Sequence, residues 1–186
     1  MRLLLVTGNR HKFDEMSQIL KEFGIELVQK EVELIEPDFS SQGRIAEYKA
    51  LQAFEKFKEP VVCEDTGVYF DGYNNFPGVL AKRVFSGLGF DGLTAIIRAT
   101  KNRNAHFKTV VSYFDGKTMK SFSGVLRGKL IEKTVSVDKD RLPYEKIFVP
   151  EGFSDALVNI SLEEKNKVSH RAIATREFGK WLNSKK

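Results

Sequence analysis

The chain has 186 residues, 41% of them apolar and 30% charged, with a single cysteine. That is enough for one domain with a substantial core or two small lobes sharing one, and it excludes an intrachain disulfide and a Cys-based zinc site. Thirty basic side chains against 25 acidic ones leave a formal charge of +5, a modest excess that suits an anionic partner, nucleotide or nucleic acid. The basic residues are scattered, and their densest clusters, Lys101-Asn102-Arg103 and Lys139-Asp140-Arg141, are short, as on an ordinary solvated surface.

Met1 to Gly8 holds too short an apolar run for a signal peptide or a membrane span, so the expected location is cytoplasmic. Leu3 to Val6 reads as a buried strand, Thr7-Gly8-Asn9 as a turn, and Lys12 to Phe23 as a helix with Phe13, Met16, Ile19, Leu20 and Phe23 on its apolar face. Gly24 stops that helix and Ile25 to Val28 returns as a strand, giving a β-α-β opening with parallel strands. Gln42 to Phe57 reads as a second helix, capped by Ser40 or Ser41. Val61 to Cys63 reads as a short strand that delivers Glu64 and Asp65 at its carboxyl end, with Val68 to Phe70 extended beyond. Asp71 to Gly78 reads as a loop and Leu88 to Thr100 as a third helix. His106 to Tyr113 and Met119 to Val125 flank Asp115-Gly116-Lys117 as a hairpin, and Gly128 to Lys133 adds a further strand. Ser161 to Glu164 forms a capping box, and Ser169 caps a last helix over Arg171 to Leu182. Parallel units followed by a hairpin predict an α/β fold with a mixed sheet.

Four clusters carry chemistry. Thr7-Gly8-Asn9-Arg10-His11-Lys12 joins a strand to a helix, where backbone N–H groups and Lys12 can hold phosphate oxygens. It lacks the Gly-Lys-Ser/Thr ending of a Walker A loop. Glu64 and Asp65 follow an apolar strand, and such carboxylates can hold Mg²⁺ or polarise a water. Asn75-Phe76-Pro77-Gly78 with Lys82 pairs a rigid loop with a cation, and Lys165 with Ser169-His170-Arg171 sets two cations and an imidazole near a helix start. Taken singly, the first two read equally well as an ordinary turn, and the last two read better as a surface turn and a charged helix surface. Cys63 reads as a small buried core residue, His11 as a loop residue and His106 as a sheet-surface residue. Three histidines without close pairing argue against structural zinc.

In this order the four clusters resemble the HAM1-like family of inosine triphosphate pyrophosphatases, nearly end to end. Thr7-Gly8-Asn9…Lys12, Glu64-Asp65-Thr66-Gly67, Phe76-Pro77-Gly78 with Lys82, and Glu164-Lys165-Asn166…Ser169-His170-Arg171 match its motifs. The resemblance implies one domain over residues 1–186: an elongated mixed central sheet with flanking helices, two lobes and a nucleotide cleft between them. It implies a homodimer that uses Mg²⁺ to hydrolyse inosine, deoxyinosine and xanthosine triphosphates to the monophosphate and pyrophosphate, clearing deaminated purines from the nucleotide pool. It puts Asp65 at the metal-ligand and proton-acceptor position, Glu36 at a remote metal-ligand position beside the candidate Glu64, and Lys49 and Thr66 at substrate contacts. His170, Arg171 and Lys165 fall on the base side.

One segment departs from the family. Where it carries Phe-Gly-Tyr/Trp-Asp-Pro, this chain has Leu142-Pro143-Tyr144-Glu145-Lys146, which loses an aromatic stacking surface and lengthens a carboxylate. These changes touch base recognition more than phosphate chemistry, so a pyrophosphatase for another modified or an ordinary nucleotide stays open. So does a nucleotide sensor without turnover. A nucleic-acid-binding module leaves the acidic pair, which repels phosphates without a metal, unexplained.

Overall fold

The computed structural model describes residues 1–136 and 142–185; the Lys139-Asp140-Arg141 cluster lies outside the described residues. Its opening follows the β-α-β reading. Strand β1 (Arg2–Val6) pairs in parallel with β2 (Glu26–Lys30) through helix α1 (Arg10–Lys21). Helix α2 spans Gln42–Phe57, with Ser41 at its N-cap but making no side-chain cap hydrogen bond.

The largest departure from the sequence reading is β3, one continuous strand over Val61–Phe70. It pairs in parallel with β1 over only two residues, Val61 and Val62, and then runs on beyond the end of β1. Asp65-Thr66-Gly67 has the composition of a turn, yet all ten residues find ladder partners on strand β5 (Asn104–Phe114), from Val61 opposite Phe114 to Phe70 opposite Ala105. A complete ladder outweighs weak local propensity. Glu64 and Asp65 therefore sit mid-strand, beyond the carboxyl end of β1 rather than of their own strand.

Other boundaries shift for similar reasons. The expected loop after Phe70 holds a short helical turn (Asp71–Tyr73) and a strand β4 (Phe76–Gly78) that pairs antiparallel with β3. Helix α3 begins at Ala81 and ends at Ala99, broken at Gly89, whose φ of 59° lies outside helical space. Gly128 to Leu130 continues strand β6 (Met119–Leu130) along β5 instead of forming a separate strand. A 3-10 turn (Pro143–Ile147) leads into β7 (Phe148–Pro150), which edges the sheet against β6. Helices α4 (Leu162–Val168) and α5 (His170–Asn183) close the chain, capped by Ser161 and Ser169, which accept from Glu164 N–H and Ala172 N–H.

The result is an open mixed sheet in the order β2-β1-β3-β5-β6-β7, with β4 paired to β3 off that path. Alternation along β3 assigns its faces. Val62, Glu64, Thr66, Val68 and Phe70 share one face, and Val61, Cys63, Asp65, Gly67 and Tyr69 the other. On the first face, α1 and α5 bury a cluster containing Leu5, Met16, Val62, Val111 and Phe178. Farther along the same face, α3 and the 144–160 segment bury Val68, Phe70, Leu93, Phe107 and Phe148. On the opposite face α2 covers Leu4, Val61 and Cys63. Between the two clusters of the first face, β3 and β5 present Glu64, Thr66 and Thr109, so the apolar interior is interrupted by a polar row.

Helix α5 reaches that row because Gly124 on β6 has no side chain. A Cβ there would lie 2.1 Å from the His170 carbonyl oxygen and 2.8 Å from Ala174 N. Gly124→Ala is expected to push the start of α5 off the sheet and cost about 1–3 kcal/mol, read as a lower urea midpoint at unchanged slope.

Candidate active site

Adjacent residues on a strand point to opposite faces, so Glu64 and Asp65 serve two different surroundings. Glu64 is buried, with Oε1 against Lys12 Nζ and Oε2 accepting from Thr66 Oγ1 (2.8 Å) and facing Arg171 Nε (3.5 Å). Burial opposes its charge, but Lys12 and Arg171 overcome that and hold its carboxyl far below the usual range. With both oxygens engaged by cations and a hydroxyl, and turned from Asp65, Glu64 is poorly placed to share a metal with it.

Around Glu64 lies a buried network. Glu15, in the middle of α1, binds Lys165 Nζ (2.6 Å) through one oxygen and Arg171 Nη1 through the other. Lys165 also binds Glu145. Lys165 and Arg171 are 1% and 0% exposed. Three carboxylates, Glu15, Glu64 and Glu145, balance three cations, Lys12, Lys165 and Arg171. His170 completes the group, stacked on Phe107 (ring centroids 4.9 Å apart, 7° between planes) with Nδ1 2.7 Å from Thr109 Oγ1. Burial, with Arg171 beside it, pushes its imidazole well below 6.5, so it is neutral.

The expected base-side residues thus stand together, but Lys165 and Arg171 are spent on internal carboxylates instead of projecting as free cations. The 142–146 segment is likewise turned inward. Tyr144 is a core residue whose hydroxyl donates to the Ala81 carbonyl (2.8 Å), and Glu145 is buried against Lys165. Leu142 precedes the 3-10 turn that Pro143 opens, and both are half-buried.

The other face carries Asp65. Its Oδ1 is 3.7 Å from Lys49 Nζ, and its Oδ2 is buried and accepts no hydrogen bond. Lys49 also binds Glu36 Oε1 (3.1 Å) and the Glu64 carbonyl (3.3 Å). Burial raises the Asp65 carboxyl to about 6, against the pull of Lys49 and Lys12. Glu36 is driven the other way: burial opposes its charge, but Lys49, Lys82 and Lys12 together lower its carboxyl. The fields of three lysines from three helices therefore converge on one exposed glutamate. Lys82 itself is exposed near the start of α3. Thr66, on the Glu64 face, is a hub that also accepts from Arg171 Nη2 (3.3 Å).

In the first loop, Thr7 Oγ1 accepts from Asn9 N–H (3.1 Å) and Asn9 Oδ1 caps α1 by accepting from Lys12 N–H (3.1 Å). Two of the expected phosphate donors are therefore used within the turn, whose shape they fix. Gly8 and Arg10 are exposed, Arg10 pairing with Asp14 (3.0 Å), and His11 is half-buried. Cys63 is fully buried, its thiol pushed up to about 12, and is inert. His106 stacks on Tyr69 (4.8 Å) at the sheet face and approaches Asp71 (3.5 Å).

Sequence reasoning missed Glu15 and Thr109. Each had a faint signal: Glu15 is a charge one turn before the apolar Ile19, and Thr109 alternates with Phe107 and Val111 on a buried strand face.

Among the described residues, no group of three or more His, Cys, Asp or Glu is arranged to hold a metal by itself, and no helix is long and apolar enough to cross a membrane.

The Ham1 family model matches residues 3–181. The chain is 34% identical over 182 residues to the dITP/XTP pyrophosphatase of Thermococcus kodakarensis, covering 98% of this chain and 97% of that one. It is 34% identical over 185 residues to the protein of the same name from Methanopyrus kandleri, covering 99% and 97%. The solved structure of a HAM1 protein from Coxiella burnetii shares the fold, with a TM-score of 0.83 at 21% identity over 99% of both chains.

The network makes stability pH-dependent. Burial opposes the Glu15 charge, yet Arg171 and Lys165 hold its carboxyl at about 2, against 4.5 when unperturbed. The folded value is depressed, so this stabilisation is complete above pH 4.5 and is lost as pH falls towards 2. Glu15→Gln is expected to lose about 3–5 kcal/mol near pH 7 by stranding a buried cation. It should also show a flatter loss of stability below pH 4.5 than the parent protein, read by denaturant titration across pH.

Proposed function

The chain belongs to the Ham1 family, and from that premise and the geometry of Asp65 we propose that it is a nucleoside triphosphate pyrophosphatase. Its substrates on this reading are deaminated purine nucleotides, the class named for its dITP/XTP pyrophosphatase relatives, and its products the monophosphate and pyrophosphate. The observation that carries the reading is a buried carboxylate oxygen of Asp65 without a hydrogen-bond donor, in the field of Lys49 and Lys12, with Lys82 joining them at the neighbouring Glu36. A triphosphate matches the cations, and a divalent cation matches the orphaned oxygen.

Mg²⁺ fits this donor set, since it takes one or two carboxylates together with phosphate oxygens and waters. Asp65 and Glu36, bridged by Lys49, are the residues that would hold it, and Glu36 is favoured over the inward-turned Glu64. When bound, the ion supplies charge neutralisation at the phosphates and acidifies a coordinated water.

The chain's own residues do the rest. Lys12, Lys49 and Lys82 bind the phosphate oxygens and offset charge that grows on the leaving pyrophosphate. The turn Thr7-Gly8-Asn9, its shape fixed by the Thr7 and Asn9 side chains, brings the positive end of α1 and the flanking Arg10 and His11 to the same phosphates. Asp65 is also the carboxylate placed to accept a proton from the attacking water. Glu64 fixes Lys12, and Thr66 ties Glu64 to Arg171. Base contact falls to His170 and the Leu142–Glu145 segment, held by Lys165 and Arg171.

The whole of residues 1–186 acts as one such domain on this reading. Action as a homodimer in the cytoplasm, protecting the nucleotide pool, completes it. Binding to nucleic acid is not part of it.

Pyrophosphate release should be fastest with inosine, deoxyinosine and xanthosine triphosphates, slower with GTP and ATP, and absent without Mg²⁺. Asp65→Asn should lower the rate at least about a hundredfold while the protein stays folded. Turnover close to the parent's in that variant, or equal turnover of ATP and ITP, would remove respectively the role of Asp65 and the substrate class.

A further inference from the structure

One chain of side-chain hydrogen bonds crosses from the Glu64 carboxylate to the His170 imidazole. Thr66 Oγ1 lies 2.8 Å from Glu64 Oε2, Thr109 Oγ1 contacts Thr66 Oγ1, and His170 Nδ1 lies 2.7 Å from Thr109 Oγ1. Thr109 is 0% exposed and its hydrogen bond to His170 Nδ1 is buried, so water is not an alternative partner along this chain.

The direction of this chain follows from how many protons each member owns. Glu64 is ionised between Lys12 and Arg171 and can only accept. Two oxygens 2.8 Å apart need a proton between them, so the Thr66 hydroxyl must donate to Glu64. Having given its one proton, Thr66 can only accept, from Arg171 Nη2 (3.3 Å) and from Thr109. Thr109 has then given its proton too and must accept from the imidazole. His170 is neutral, so a proton on Nδ1 leaves a lone pair on Nε2. The reverse direction leaves the Glu64 and Thr66 oxygens facing each other without a proton, which no buried geometry tolerates. Stacking on Phe107 holds the ring plane, and the backbone of His170 is seated on Gly124.

We infer that Thr109 is a positioning residue that fixes the tautomer of His170, proton on Nδ1 and lone pair on Nε2, and so selects purines that carry an N–H at ring position 1. This deepens the function proposed above and rests on His170 meeting the base. Hypoxanthine, xanthine and guanine donate from that ring nitrogen, whereas adenine presents a lone pair there, which would face the lone pair of Nε2; the contact separates these bases from adenine and leaves the discrimination against guanine to other contacts. The phosphate side cannot make that distinction, because all the candidate substrates share the triphosphate.

The test reads the tautomer directly. In ¹⁵N-labelled protein, long-range ¹H–¹⁵N spectra distinguish Nδ1–H from Nε2–H. With three histidines in the chain, subtraction through His11→Gln and His106→Gln identifies His170. The parent protein is expected to show His170 as Nδ1–H. Thr109→Val, similar in shape but without the hydroxyl, should populate Nε2–H, raise KM for ITP about tenfold with little change in kcat, and lower the ITP preference over ATP about tenfold. Thr109→Ser should restore both the tautomer and the preference. An Nε2–H imidazole in the parent overturns the proposal, as does a Thr109→Val variant that keeps the parent tautomer, or one that changes tautomer while keeping the parent ITP preference. If Thr109→Val does not fold, the parent spectrum and Thr109→Ser decide. A parent that hydrolyses no nucleoside triphosphate overturns the function proposed above and the base selection built on it, while its spectrum still decides whether Thr109 sets the tautomer.

Discussion

Everything at the centre of this molecule hangs on six charges taken out of water together. Glu15, Glu64 and Glu145 meet Lys12, Lys165 and Arg171, and most of these side chains are almost wholly buried. Removing an ion from water costs several kcal/mol after relaxation, and pairing does little more than offset that cost. The network's worth is therefore positional more than energetic. Its members come from α1, β3, the turn before β7, α4 and α5, and the charges balance only when all five segments are in place. A partial assembly leaves a charge buried without its partner, so the segments must come together as a unit.

That constraint explains why the polar row is tolerated at the heart of the sheet. Apolar clusters hold the strands on either side of it, and on the Glu64 face the charges of the row are paired with one another. The Asp65 face is different. There Lys49 is shared between two carboxylates and an oxygen of Asp65 has no donor. The charges of one face are paired within the protein, while on the other a carboxylate oxygen has no hydrogen-bond donor, and that asymmetry is what the proposed metal and phosphate site at Asp65 uses.

The sequence reveals the phosphate side better than the base side, for a physical reason. Strand β1, the turn Thr7-Gly8-Asn9 and α1 are local: neighbouring residues in the chain make the geometry, and the cap by Asn9 and the apolar period are readable. The same holds for the capping box at Ser161 and the cap at Ser169. The continuity of β3 was not legible, because Asp65-Thr66-Gly67 looks like a turn and only the ladder with β5, some forty residues later, keeps it extended. Lys165 and Arg171 looked like free cations because their carboxylate partners lie far away in the chain: Glu15 is separated from them by 150 and 156 residues. The inward turn of Tyr144 and Glu145 was hidden for the same reason. Composition announces charges, but it does not announce which of them will neutralise each other.

The alternation of β3 has a consequence for how such a protein can change over generations. Because Glu64 and Asp65 are chain neighbours facing opposite ways, the strand works as a partition: substitutions reached through one face leave the other almost undisturbed. Drift in the Leu142–Lys146 segment, which meets the Glu64 side through Glu145 and Lys165 and the start of α3 through Tyr144, can alter that side while Asp65, Lys49 and Glu36 stay as they are. The same partition is intolerant of a change in length. One residue inserted or deleted between Val62 and Val68 would exchange the faces and hand each carboxylate the other's neighbours. A substitution on this strand can be confined to one face, and an insertion cannot.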